Sequence, residues 1–514
     1  MKKIYQLAYA SLFLLGSLSS CDDGSLSHDD VYIPDPVEES DEDDGYSSEP
    51  TTKSVLRIKT GDENRHQEID GFGCSFGWSE AVYRCTQREQ IMDDLYGDNG
   101  LRFNIYRGEI CHSSLQSDGS FNFHENDNFQ YGADSPDMRK LSEDENKLKE
   151  YAQLWLMDHL SKKKYDDIYY FFSVWSPPAE WKKFDSGDVE GTRSGSFNSD
   201  YSDVYADFLA SFGKAVKDKF GINVYGISGW NEPDQAMGGW DGCMWTYPQM
   251  ADFVHDHLRP TLDGKGLADT KIIYGELPWW ANSITWMDNS LNYKPELSGD
   301  GIVAAGHGYS TVASNIKPME KAESQGIHVW QTETCDDKTR DETWNDAMKW
   351  ALNYQTYLMT ARVNAIVWWA GARCCTTTGE NLLQTNVWDF STSYYRVDRY
   401  YSIGQFSRYI PRGSHRVDVE KESDTAAANR LPKDLTASAY IKDNTYTIVL
   451  VNSSKSKAFE AQVEIEGKEF ENMISYTSSS SVKWLRKKLN PSMSGKRTVT
   501  VPKYSVVTIT GRFK

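Results

Sequence analysis

From about residue 71 to residue 410, short apolar runs alternate with longer runs whose apolar residues return every three or four positions. No other feature narrows the fold as much. The strand candidates are Phe72 to Phe76, Leu101 to Tyr106, Ile168 to Trp175, Val224 to Ser228, Lys271 to Tyr274, Ile302 to Ala305, Ile327 to Gln331 and Ala365 to Trp369. Eight such runs with helices between them predict an α/β chain closed into a (β/α)8 TIM barrel. The clearest helix follows the third run, with Tyr201, Val204, Tyr205, Phe208, Phe212, Val216 and Phe220 at helical spacing. Asp200 is placed to cap its start and Gly221 to stop it, and a further helix begins near Pro248, whose fixed φ suits a first turn.

After Gly413 the texture changes to short alternating strands, at Ala437 to Lys442, Thr445 to Val451, Ala461 to Ile465, Thr498 to Val501 and Ser505 to Thr510. Lys442-Asp443-Asn444 reads as a hairpin turn. Val55 to Lys59 and Gln67 to Ile69 share this texture but precede the barrel. A side β-sandwich built from both ends of the chain is therefore expected, from residues 54–70 and 411–514, with the barrel over 71–410.

The first 21 residues carry Lys2 and Lys3, an apolar stretch through Leu12, Phe13, Leu14 and Leu15, and Leu18-Ser19-Ser20-Cys21. The apolar part is too short to span a bilayer, so residues 1–21 read as an export signal. Its end resembles a bacterial lipoprotein box, which implies a lipid on Cys21. Asp22-Asp23 then resembles the acidic signal that sends lipoproteins to the outer face of the outer membrane; a periplasm-facing anchor is the alternative. Residues 22–50 hold twelve Asp or Glu and no Lys or Arg, so 22–53 is expected to be an acidic disordered tether that cannot bury enough apolar area to fold. With a formal charge of −20 overall, nucleic acid is excluded as a partner, because phosphate binding requires clustered Lys and Arg.

Seven cysteines remain besides Cys21, an odd number, so at least one is free or paired outside the chain. Neither Cys-x-x-Cys nor His-Glu-x-x-His occurs, so zinc signatures are missing and no metal or organic cofactor is expected. His255 and His257, two positions apart on a helix, face different sides.

Two glutamates carry the chemistry. Glu232 follows Val224 to Ser228 within Gly229-Trp230-Asn231-Glu232-Pro233, and Glu333 follows Ile327 to Trp330 within Val329-Trp330-Gln331-Thr332-Glu333-Thr334. Each stands at the C-terminal tip of a strand, where barrel enzymes place their sites. Paired carboxylates of this kind cut glycosidic bonds, one giving a proton to the leaving oxygen and one acting as nucleophile or base. Seventeen Trp and thirty Tyr suit a sugar binder, since C–H faces of sugar rings pack on aromatic rings; a tryptophan-rich core explains them nearly as well.

Gln67-Glu68-Ile69-Asp70-Gly71-Phe72-Gly73, Ser173-Val174-Trp175-Ser176-Pro177-Pro178, Asn231-Glu232-Pro233, His307-Gly308-Tyr309, Thr332-Glu333 and Gln405-Phe406-Ser407-Arg408-Tyr409-Ile410 resemble, in order, the landmarks of glycoside hydrolase family 30, a clan A family. The resemblance covers the chain from about residue 54 onward. It implies a (β/α)8 barrel with a side β-sandwich and hydrolysis that retains anomeric configuration, with Glu232 as acid/base and Glu333 as nucleophile. It further implies Asn231 on the sugar 2-hydroxyl, and Arg102 steadying the nucleophile with Arg107 as its rival. His307 and Tyr309 contact substrate and nucleophile, Trp175 is a wall, and one of Trp368 and Trp369 is the floor of the sugar pocket. Arg373, in the loop after the eighth strand, matches an arginine that binds glucuronate in the xylan-cutting branch, so endo-action on xylan or glucuronoxylan is expected. The alternatives are a β-1,6-galactanase, a β-1,6-glucanase and an inactive surface glycan-binding lipoprotein. A monomer is expected, with a polysaccharide or oligosaccharide as its partner and the lipid as its only tie to a membrane.

Overall fold

The computed structural model describes residues 52–76, 82–83, 85–110, 145–163, 165, 167–188, 191–235, 240–309, 312–374, 377–385, 394–421, 433–489 and 497–514. Residues 1–51, which hold the signal, Cys21 and nearly all of the expected tether, lie outside the described residues, whereas residues 52–53, expected in the tether, begin the strand Thr52–Ile58. Eight parallel strands form the barrel: β1 (Gly71–Ser75), β2 (Ile105–Glu109), β3 (Tyr169–Ser173), β4 (Val224–Ser228), β5 (Lys271–Leu277), β6 (Ile302–His307), β7 (Val329–Glu333) and β8 (Ala365–Cys374). They pair in chain order, and β8 closes the ring on β7 and β1.

Strand side chains alternate between two apolar environments, which is why the strands read as unbroken hydrophobic runs. Ile105, Phe171, Ile273, Val303, Ala305, Trp330, Ala365 and Val367 fill the interior as one cluster. Their neighbours Tyr106, Phe172, Ile272, Tyr274, Ala304, Val329, Ile366 and Trp368 join the cluster beneath the surrounding helices. The barrel is thus plugged, and its polar inward residues stand one step further along each strand. Arg107 follows Ile105 in this way, Ser173 follows Phe171, and His307 follows Ala305.

Helix Ser202–Phe220 buries Tyr205, Phe208, Phe212 and Val216 as the spacing predicts, whereas Val204 is exposed. Gly221 ends it at φ 68°, a left-handed conformation that costs glycine little. Its start differs from expectation: a 3₁₀ turn at Ser199–Tyr201 precedes the helix, and Asn198, not Asp200, caps that turn by accepting from the Asp200 N–H at 3.2 Å. The helix near Pro248 opens with Thr246 accepting from the Gln249 N–H. His255 pairs with Asp300 and His257 with Asp203, on different sides as their spacing requires.

The sandwich has a four-stranded sheet (Val419–Lys421, Thr52–Ile58, Phe459–Ile465, Arg497–Val501) and a seven-stranded one (Arg65–Glu68, His415–Val417, Leu435–Lys442, Thr445–Asn452, Ser505–Phe513, Phe470–Ser478, Leu485–Lys488). The two strands that precede the barrel join it as expected, one in each sheet. Lys442 pairs with Thr445 across the expected hairpin, with Asp443 at φ 52°. Strands Phe470–Ser478 and Leu485–Lys488 were not legible, because Glu471, Asn472, Lys487 and Lys488 interrupt the apolar alternation. The outer face of the larger sheet places Tyr440, Val449, Val451 and Val506 in the barrel's own core. Ser438 donates to Gln355 at 2.9 Å and Thr508 to the Gln405 carbonyl at 2.7 Å, tying the sheet to helices Trp344–Thr356 and Asp398–Ser407. Among the described residues no helix is long and apolar enough to cross a membrane, and Cys74, Cys243 and Cys335 are free cysteines.

Candidate active site

Two breaks in strand register aim the site. Counting inward from Trp330, strict alternation would turn Glu333 away from the interior. The pairing of β6 with β7 passes from Gly306↔Gln331 to His307↔Glu333, skipping Thr332 and returning Glu333 to the inside. On β5 the partners of β6 step from Gly275 to Leu277, and the residue passed over is Glu276. Gly275 (φ 117°) makes this bulge, since a Cβ there would sit 2.5 Å from the Ala305 carbonyl oxygen. Glu232 (φ 51°) and Glu276 (φ 54°) both hold left-handed backbone, and the Glu232 N–H donates to the Glu276 carbonyl at 3.0 Å. Such strain in non-glycine residues gathers where structure over-determines a functional position.

Glu232, His307 and Glu333 meet at the C-terminal mouth, with one carboxylate oxygen of each glutamate and a ring nitrogen of His307 mutually within 4.8 Å. The Tyr309 hydroxyl donates to Glu333 Oε1 at 2.7 Å, and Arg107 Nη1 donates to Glu333 Oε2. Both contacts suit a carboxylate held as an anion. Arg107 Nη2 donates to Asn231 Oδ1 at 2.7 Å, which fixes the amide with its nitrogen as the free donor end. His307 Nδ1 lies 3.2 Å from Glu232 Oε1. Burial pushes the Glu232 carboxyl up, against the downward pull of His307, so this glutamate keeps its proton above the usual range. Burial pulls His307 down, but Glu333, Glu232 and Glu276 outweigh it and raise it to about 9.

The same three residues are the one group among the described residues spaced to hold a metal ion. Their chemistry fits one poorly: His307 is drawn toward the cationic form, and Arg107 already places a positive charge against Glu333. Trp175 and Trp369 are half-buried with ring centres 5.9 Å apart, and the Arg107 guanidinium lies 4.9 Å from the Trp175 centroid. Trp368 is the wall residue of its pair, fully buried with its ring 4.6 Å from that of Trp350, which leaves Trp369 to line the pocket.

Two expectations are corrected. Arg102 precedes β2, at the barrel end opposite the site, and pairs with Asp98 at 3.2 Å; the expected strand lies four residues early, and Arg107 takes the role. Arg373, expected in the loop after the eighth strand, lies on β8 itself and is ion-paired with Glu380. Sequence reasoning missed Ser173 and Glu276. The signal for Glu276 was Gly275 inside a strand that runs on to Leu277, since a lone strand glycine marks a bulge.

The model of glycosyl hydrolase family 59 matches residues 81–387, more than half of the chain. The chain belongs to that family. Glucuronoxylanase XynC of Bacillus subtilis (strain 168) is 26% identical over 292 residues, 56% of this chain and 60% of the relative. A candidate glucosylceramidase of Caenorhabditis elegans, glucosylceramidase 3, is 25% identical over 398 residues, 71% of each chain. Among solved structures, the family 30 subfamily 8 xylanase Xyn30A of Clostridium acetobutylicum superposes with TM-score 0.64 at 22% identity, covering 89% of this chain and 99% of that one. These matches bear out the clan A, family 30-like resemblance of the motifs, and the hydrolase is an O-glycosyl hydrolase of retaining type.

Proposed function

We propose that Glu333 is the nucleophile and Glu232 the acid/base in retaining cleavage of a β-linked polysaccharide, with a neutral xylan backbone as the substrate and endo-action as the mode. One observation carries the pair: the carboxylate oxygens approach within 4.8 Å, near the roughly 5–5.5 Å of retaining pairs and short of the roughly 6.5–9.5 Å that admits a water in inverting ones. Glu333 attacks the anomeric carbon while Glu232 protonates the departing oxygen. Water then opens the glycosyl ester as Glu232 takes back a proton. Asn231 Nδ2 holds the sugar 2-hydroxyl, a contact that strengthens in the oxocarbenium-like state. Trp175 and Trp369 offer the ring faces.

Support for xylan comes from XynC and the Clostridium xylanase. Because Glu380 answers Arg373, a glucuronate branch has no free arginine there, and the proposal is for undecorated backbone. Reducing-sugar release from xylan, glucuronoxylan, β-1,6-galactan and β-1,6-glucan tests it. Xylan should lead and decoration should not be required, whereas activity confined to a β-1,6-linked polymer would overturn the xylan reading. We further propose anchoring through a lipid on Cys21 with the hydrolase facing outward. Cys21→Ala should abolish labelling by a palmitate analogue and move the protein to the soluble fraction; labelling that survives contradicts it.

A further inference from the structure

Glu276 is a third buried carboxylate beneath the reacting pair, and the two-glutamate chemistry does not use it. It is 0% exposed. Four elements present polar groups to it: Arg107 on β2, with Nη2 3.1 Å from Oε1; Ser173 on β3, donating to Oε2 at 2.9 Å; Ser228 on β4; and His307 on β6, with Nε2 3.9 Å from Oε1. The same Ser173 hydroxyl accepts from Arg107 Nε at 3.3 Å, so guanidinium, hydroxyl and carboxylate interlock. His307 therefore lies between Glu232 at Nδ1 and Glu276 at Nε2, and Arg107 between Glu333 and Glu276.

Charge accounting shows what this geometry does. With Glu232 protonated, the buried cluster holds two cations, Arg107 and His307, and two anions, Glu333 and Glu276. When Glu333 Oε forms its bond to the anomeric carbon, the glycosidic C–O bond breaks and the leaving oxygen takes the Glu232 proton. Glu333 is then a neutral ester and Glu232 an anion, so two cations still face two anions. Without Glu276, two cations would face one anion in a site where water cannot screen the excess.

We propose that Glu276 is a positioning residue for this hydrolysis, a fixed anion that keeps Arg107 on the nucleophile and an imidazolium at His307 on the acid/base, so that the cluster stays neutral through glycosyl transfer. The inference rests on the assignment of Glu232 and Glu333 above. Burial works against ionisation of Glu276, and Arg107 and His307 overcome it, holding the carboxyl below its usual range.

The test is Glu276→Gln, isosteric and uncharged, in the full chain, with Glu276→Asp as the charge-keeping control and thermal unfolding to confirm folding. Selective ¹⁵N-histidine NMR, with His307→Asn to assign the signal, reads the ring directly. In the wild type His307 should titrate near 9; in Glu276→Gln it should titrate lower, because one of the carboxylates that raise it is gone, while Glu276→Asp keeps it near the wild-type value. Turnover of Glu276→Gln should fall about 10- to 100-fold in kcat with KM within about threefold. Its alkaline limb should move upward, because Glu232 loses the cation beside it. Wild-type His307 titration or wild-type kcat in Glu276→Gln overturns the proposal and leaves the catalytic pair intact. Full activity of Glu333→Gln instead removes the assignment on which it rests, whatever His307 does.

Discussion

Three neighbours, His307, Arg107 and Tyr309, decide how two chemically identical side chains come to do opposite work. Glu232 sits in a dry place beside His307, while Glu333 receives Arg107 and Tyr309. Glu333→Gln should abolish turnover, and Glu232→Gln should lower kcat by about 10² to 10⁴ on natural polymer but far less on aryl glycosides whose leaving group requires no proton. Steady-state kinetics on both substrate types checks this split. The two arginines separate equally cleanly. Arg107→Ala strands buried carboxylates and should lower kcat at least about 10²-fold, with a loss of roughly 3–5 kcal/mol in stability. Arg102→Ala, on the surface at the far end of the barrel, should stay within about twofold. His307 also links stability to pH. Its folded value of about 9 is raised above the ordinary 6.5, so its stabilising contribution is complete below pH 6.5, declines between 6.5 and 9, and is gone above 9. Melting temperatures across this range should fall more steeply for the wild type than for His307→Gln. Residue identity was legible where a motif named it, as at Glu232, Glu333, Asn231, His307 and Tyr309. It was not legible at Arg102 against Arg107, since both lie beside one apolar run and only the strand's true start, Ile105, decides which points inward.

At the scale of elements, the site depends on strands that break their own period. A perfect alternation in β5 and β7 would send Glu276 and Glu333 outward, and the slips at Glu276 and Thr332 bring them in. Gly275→Ala tests the first of these. Its Cβ would press on the Ala305 carbonyl at 2.5 Å from a φ of 117°, so a cost of about 1–3 kcal/mol is expected. Melting temperature and kcat should fall together, because the bulge aims Glu276 and its carbonyl holds the Glu232 N–H. Unchanged kcat in a folded Gly275→Ala would show that the bulge does not set the site. The eight strands were readable because each is apolar on both faces. The bulges were not, because period-two reasoning assumes the regularity they interrupt, and the extension of β5 to Leu277 passed unnoticed for that reason.

For the whole molecule, the barrel supplies the mouth and the sandwich braces its flank through Val449, Val451 and Val506. That one sandwich draws strands from both sides of the barrel was legible from matching texture at residues 55–69 and beyond 437. The division of those strands between two sheets was not, because alternation tells which face a residue takes and nothing about which neighbour its strand finds. Turnover is the property in which all these parts meet, and its stereochemistry reports the central claim that two carboxylates within 4.8 Å act by double displacement. ¹H NMR of the first products released from the polymer the hydrolase cleaves should show the β-anomer before mutarotation, with the α-anomer rising only later. An α-anomer appearing first would contradict the account.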